Sequence, residues 1–145
     1  MKNVFAVLAM IAALAFGAVP LSAQKLALTD IVSQADVLMS RYQFNDALLL
    51  MSKADDSLHL NVLQRKGFCY SKLGDYSAAI VAYEKIRETD SLNTEALYQL
   101  GQLYSVTDRY PQAMQSFEKL IDLDSTNSFY FKQYSAVAVK AMDVI

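Results

Sequence analysis

The stretch GDYSAAIVAYEKI, residues Gly74–Ile86, is echoed by DRYPQAMQSFEKL, residues Asp108–Leu120. Tyr76 and Tyr110 hold equivalent places in the two stretches and lie 34 residues apart. A fixed period changes the meaning of every residue inside it, so the repeat is read before any local feature. The match extends without a gap from Val62–Asn93 onto Ala96–Asn127. Leu63 falls on Leu97, Gly67 on Gly101, Tyr70 on Tyr104, Ala79 on Ala113 and Tyr83 on Phe117.

Each copy divides into two segments with apolar residues at helical spacing. In the first copy these are Leu63, Gly67, Tyr70 and Leu73, then Tyr76, Ala79, Ile80, Tyr83 and Ile86. The separators, Gly74–Asp75 and Asp108–Arg109, predict a tight turn between two antiparallel helices. Gly74 suits the left-handed backbone that often ends a helix, and Asp75 can accept from the free amides that begin the next. Pro111 is tolerated in a first helical turn, where its missing N–H costs nothing. Gly67 and Gly101 sit in helix interiors, where each costs about 1 kcal/mol relative to Ala. Close helix approach offsets that cost: the paired helix, presenting Ala79 or Ala113, is expected to come near. Tyr70, Tyr76, Tyr83, Tyr104, Tyr110 and Phe117 are then expected to fill the space between helices and between units.

This pattern resembles the tetratricopeptide repeat (TPR), a 34-residue helix–turn–helix with a small residue and a Tyr in its first helix and an aromatic, an Ala and a second aromatic in its second. Residues 60–93 and 94–127 carry the match. An earlier unit, residues 28–59, supplies Ala35, Phe44 and Ala47, with Met51 in place of the second aromatic. Phe44 precedes Tyr76 by 32 residues rather than 34, so this unit is expected to have lost two residues near the end of its second helix. Residues 128–145 fit the first helix of a fourth, partial unit or a capping helix, with Ser135 in the small slot and Ala138 where Tyr is usual. The resemblance implies an all-α protein, an α-solenoid of three helical hairpins plus a C-terminal helix. Two departures stand out. Asp, Ser and Asn in "DSLN" and "DSTN" replace the Pro that often ends such units, and Ile86 and Leu120 occupy a slot usually held by a small residue.

In a solenoid of this kind the first helix of each unit lines the concave side. The resemblance places Thr29, Val32, Asp36 and Met39 there in the first unit, and Asn61, Gln64, Arg65, Phe68 and Lys72 in the second. The third unit adds Glu95, Tyr98, Gln102 and Val106, and the last helix Phe129, Lys132, Ala136 and Lys140. The candidate peptide-binding groove is therefore Asn61, Gln64, Arg65, Phe68, Lys72, Tyr98, Gln102 and Lys132. Its aromatic and basic mixture suits an extended or helical segment carrying an apolar residue and an acidic group. The Lys/Asn clamp of chaperone-tail-binding members is replaced by Val32 and Asp36, so that specialised activity is not expected.

Composition agrees with an interaction module and excludes other classes. The chain has 145 residues, 54% hydrophobic, with Lys2 and an apolar run Val4–Phe16 at its start, then Gly17, Pro20 and "LSAQ". This reads as a secretory signal peptide over residues 1–23, with cleavage after Ala23 and an exported, periplasmic or secreted domain over residues 24–145. An uncleaved membrane anchor is the alternative, although Val4–Val19 is shorter than the roughly 20 residues a spanning helix wants. No Cys follows the run, so a lipoprotein signal is absent. Losing Lys2 leaves the remaining chain acidic, with basic residues scattered, which argues against nucleic-acid binding.

Catalytic and metal chemistry find no footing in the residues. The lone cysteine, Cys69, excludes an intramolecular disulfide and is expected to be a buried small hydrophobe. His59, the only imidazole, falls in a turn with no partner for a metal site. Glu84 and Glu88 read as solvated charges, and four glycines leave no phosphate loop. The expectation is a non-enzymatic scaffold without cofactor whose partners are proteins, or else a spacer within a larger cell-envelope assembly. Phe131, Tyr134, Val137, Ala138 and Val139 spread apolar character over several faces of the last helix, which points to self-association there or to a longer chain.

Overall fold

The structure, a computed structural model, describes residues 21–54 and 59–143, with side chains placed from residue 28 onward. Apart from Leu21–Ala23, which open the first helix, the expected leader lies outside the described residues. Among the described residues there are seven helices: α1 (Leu21–Ser40), α2 (Phe44–Met51), α3 (Leu60–Leu73), α4 (Tyr76–Thr89), α5 (Thr94–Val106), α6 (Tyr110–Leu123) and α7 (Ser128–Met142). No strand occurs among the described residues. Each helix packs chiefly on its sequence neighbours, the quasi-one-dimensional stacking of a helical-hairpin solenoid. The protein is all-α.

The turns form for local reasons. Gly74 ends α3 at φ 79°, and Asp108 and Tyr42 occupy the matching turns at φ 60° without being glycine. Asp75 accepts from the amide of Ala78 at 3.0 Å, capping α4. Asn93 and Asn127 cap α5 and α7 by accepting from Ala96 and Phe129, while Asp90 and Asp124 accept from Leu92 and Thr126. The acids and amides of "DSLN" and "DSTN" thus do the work that a terminating Pro would otherwise do.

Two hydrophobic clusters make up the core. The larger joins α3 to α7 around Tyr83, Leu97, Leu100, Tyr104, Phe117, Leu120 and Val137. The smaller holds Ala35, Ala47 and Met51 against Val62 and Cys69, so α3 belongs to both. Cys69 is fully buried, and desolvation pushes its thiol up to about 11.

Four expectations need correction. The partner of each mid-helix glycine is an aromatic ring rather than Ala79 or Ala113. A methyl group on Gly67 would lie 2.6 Å from the Tyr83 ring, and one on Gly101 2.7 Å from Phe117. Ala79 and Ala113, four residues before those rings on the same helices, are fully buried. Tyr76 does not fill a gap: it is 38% exposed, whereas Tyr110 packs half-buried against the core and turns its hydroxyl to Asp108. The second helix of the first unit is shortened by more than the two residues its spacing suggests, because α2 has 8 residues where α4 and α6 have 14. Finally, Glu84 is not a freely solvated charge. It accepts the Tyr104 hydroxyl across the α4–α5 contact, and with desolvation this holds that phenol up at about 12.

Candidate functional site

The first helices of the hairpins, α1, α3, α5 and α7, stand side by side. Bonds and ring contacts join α1 to α3 and α5 to α7, and one cleft is lined by both α3 and α5. Arg65 on α3 donates from Nε to Asp36 Oδ1 on α1 at 2.6 Å and from Nη2 to Oδ2 at 2.8 Å. Its remaining amine donates to the Asn61 carbonyl at 3.0 Å. On the other side of α5, Gln102 donates to Gln133 of α7 at 2.8 Å, and the rings of Tyr98 and Phe129 lie 5.8 Å apart.

The candidate residues divide into three neighbouring clefts rather than one uniform surface. The middle cleft, ≈ 270 Å³, is lined by Asp36, Met39, Gln64, Arg65, Phe68 and Glu95, with Tyr83 at its floor. Phe68 is 37% exposed there, and the Lys72 ammonium sits 5.1 Å from its ring centroid. A second cleft, ≈ 340 Å³, lies between α5 and α7 against Glu95, Tyr98, Phe129 and Tyr130. The third, ≈ 370 Å³, lies between α1 and α3, where Asn61 meets Thr29, Val32 and His59. Lys132 is exposed on α7 outside these clefts. His59 is exposed at the start of α3, and no group of three metal-ligating side chains occurs among the described residues.

Electrostatics alter the role of two candidates. Arg65 is not a free cation awaiting an acidic ligand, because Asp36 already occupies its guanidinium through two parallel bonds. The Arg65 hydrogen bonds hold the Asp36 carboxyl below its usual value, and Asp36 in turn raises the guanidinium. Tyr98 is half-buried and packs edge-on against Phe117, so it contributes to the core as well as to the cleft. The Asp36–Arg65 pair went unread in the sequence although both residues were placed on this face. Opposite charges on adjacent first helices were the signal.

Helical hairpins stacked so that their first helices form one grooved face define the class of protein: an α-solenoid of helical hairpins. Residues 70–130 match the model of the tetratricopeptide repeat family. Solved structures agree at the level of fold. The chain is similar to the C-terminal TPR-containing domain of a Plasmodium falciparum protein described as FK506-binding, at 20% identity and TM-score 0.72, covering 83% of this chain and 92% of that one. It is similar to a tetratricopeptide repeat protein from Parabacteroides merdae at 21% identity and TM-score 0.69, covering 74% of this chain and 43% of that one. The first TPR of Spaghetti (RPAP3), bound to the HSP90 peptide SRMEEVD, matches at 14% identity and TM-score 0.69 over 79% of this chain and 91% of that one. Comparison with curated proteins found no match.

Proposed function

We propose that the protein is a non-enzymatic scaffold that binds a peptide segment or partner helix along the face formed by α1, α3, α5 and α7. The observation that carries this reading is the middle cleft. There an exposed aromatic, Phe68, lies under the Lys72 ammonium and beside polar groups of three helices, Asp36, Gln64 and Glu95. An apolar anchor site ringed by fixed polar groups is what a short segment needs for affinity and register. A TPR neighbour solved with a bound peptide supports the same use of the fold. The apolar leader of residues 1–23 supports export, so the partners belong to the envelope or the exterior; an N-terminus at Gln24 in the isolated protein tests that setting.

Peptide-library capture on the immobilised protein tests the groove. Phe68→Ala combined with Lys72→Ala removes the exposed edge of the aromatic and the ammonium over it, together with the Phe68 contact to Phe44, and is expected to abolish capture while the far-UV spectrum stays unchanged. Capture that survives the double substitution overturns the assignment. These positions are better probes than Tyr98, whose removal also opens the core beside Phe117.

A further inference from the structure

α7 is the last of the described helices, and the stripe that a following antiparallel helix would cover meets none among the described residues. Phe131, Ser135 and Ala138 align at the 34-residue period with Leu97, Gly101 and Tyr104 of α5 and with Leu63, Gly67 and Tyr70 of α3. On α5 these positions are buried beneath the antiparallel helix α6: Leu97 and Tyr104 are each 3% exposed, and Gly101 lies under the Phe117 ring. On α7 the same stripe is largely uncovered: Phe131 is 45% exposed, Ser135 is exposed and Ala138 is half-buried. Met142, one turn further on, is 65% exposed and Val139 beside them 53%, whereas Val137 on another face is buried against the core. Tyr130 and Tyr134 pack on that core too, so the end face is separate from the buried one.

We infer that this face is an interface between two copies of the chain, closed by antiparallel pairing of α7 with the same helix of the partner subunit. Two features of the stripe select a second copy as the occupant. First, Phe131, Ser135, Ala138 and Met142 are spaced 4, 3 and 4 residues apart, the seam spacing of two helices that pack along their length. Second, the order large, small, small, large reads the same in both directions. Turned about a two-fold axis between Ser135 and Ala138, Phe131 meets Met142 of the partner subunit and Ser135 meets the partner's Ala138. Self-complementarity is what an isologous contact requires. The small central pair lets the helices approach, and the large outer pairs then fill the gaps on either side, as rings do at Gly67 and Gly101 within the chain.

Charge does not oppose this register. Lys132 flanks the seam beside Val139 of the partner subunit, where its methylene stem covers apolar surface while the ammonium reaches water. Lys140 belongs to another face, with its ammonium 3.5 Å from the Ser105 hydroxyl. Antiparallel helices also set the positive N-terminus of each α7 against the negative C-terminus of the other. The contact leaves α1, α3 and α5 free. A dimer built this way presents two grooves in one particle and gains avidity for a partner with two matching segments. The pairing itself does not depend on what the groove binds.

Sedimentation equilibrium on the full chain over a hundredfold concentration range tests the interface, with every variant in the same background. The unsubstituted protein is expected to rise towards twice its monomer mass, and Ser135→Glu to weaken association at least tenfold with helicity retained. A constant monomer mass, or association unchanged by Ser135→Glu and by Phe131→Asp, overturns the inference. Disulfide trapping fixes the register, since native Cys69 is buried. A mixture of Ser135→Cys and Ala138→Cys chains should crosslink faster than either alone. Preferential crosslinking of Ser135→Cys to itself, or growth beyond a dimer, equally overturns it.

Discussion

Gly101 shows how a single residue is fixed by its neighbour across the helix pair. Ala is favoured over Gly in a helix by about 1 kcal/mol, but here the added methyl would lie 2.7 Å from the Phe117 ring. Overpacking of that kind costs roughly 1–3 kcal/mol, so Gly101→Ala is expected to lower stability by about 1 kcal/mol net, read as a lower melting temperature. A gain in stability would mean that the ring moves aside freely. Tyr42 is the opposite case. It holds φ 60° at 83% exposure, a left-handed conformation that costs a residue with a Cβ about 1–2 kcal/mol. Tyr42→Gly is expected to stabilise the protein by about 0.5–1 kcal/mol after the entropy of glycine is charged against it, measured by urea titration. The sequence already pointed to Gly74 as a helix end. That Tyr42 and Asp108 adopt the same backbone is decided by the structure.

Between elements, polar contacts join successive hairpins. Tyr104 on α5 donates to Glu84 on α4, which Arg87 approaches at 3.9 Å. A hydrogen bond to a charged acceptor contributes about 1.5–3 kcal/mol, so Tyr104→Phe should cost an amount in that range at neutral pH. Burial and the Glu84 bond raise the Tyr104 phenol from 10.0 to about 12. The native state therefore holds this proton more tightly than the unfolded chain does. The associated stability is whole below pH 10 and is lost as pH rises through about 12. Melting scans across that interval should fall more steeply for the unsubstituted protein than for Tyr104→Phe; parallel curves would exclude the linkage. The Asp36–Arg65 pair works at the other limit of pH. Its carboxyl is held down by Arg65, so its contribution is present above the usual 3.8 and disappears as pH falls below it. Asp36 keeps 48% of its side-chain surface exposed, and solvent screening limits the coupling to about 0.5–1 kcal/mol in a double-mutant cycle.

At the scale of the molecule, the division of the core into two clusters sets the order of unfolding. α1 and the 8-residue α2 bury Ala35, Ala47 and Met51 against Val62 and Cys69, while the larger cluster runs from α3 to α7. Stability in stacked repeats is nearly a sum of unit and neighbour terms, so the thin end opens first. Cys69 reports this event, because the α1–α2 hairpin covers it. Its reaction with a thiol reagent is expected to reach half-completion at a lower urea concentration than the loss of helical signal, and coincident transitions would show one cooperative unit instead. Sequence alone determined the period, the all-α hairpin order, the turn residues and the burial of Cys69. Each of these is a local or repeated pattern that the chain writes directly. Only the tertiary structure decided that Tyr83 and Phe117 lie on the glycines, that Glu84 holds Tyr104, and that Asp36 neutralises Arg65 on the grooved face. Those contacts depend on helix crossing and side-chain rotamers, which bring together residues 16 to 29 positions apart, and spacing along one chain does not specify them.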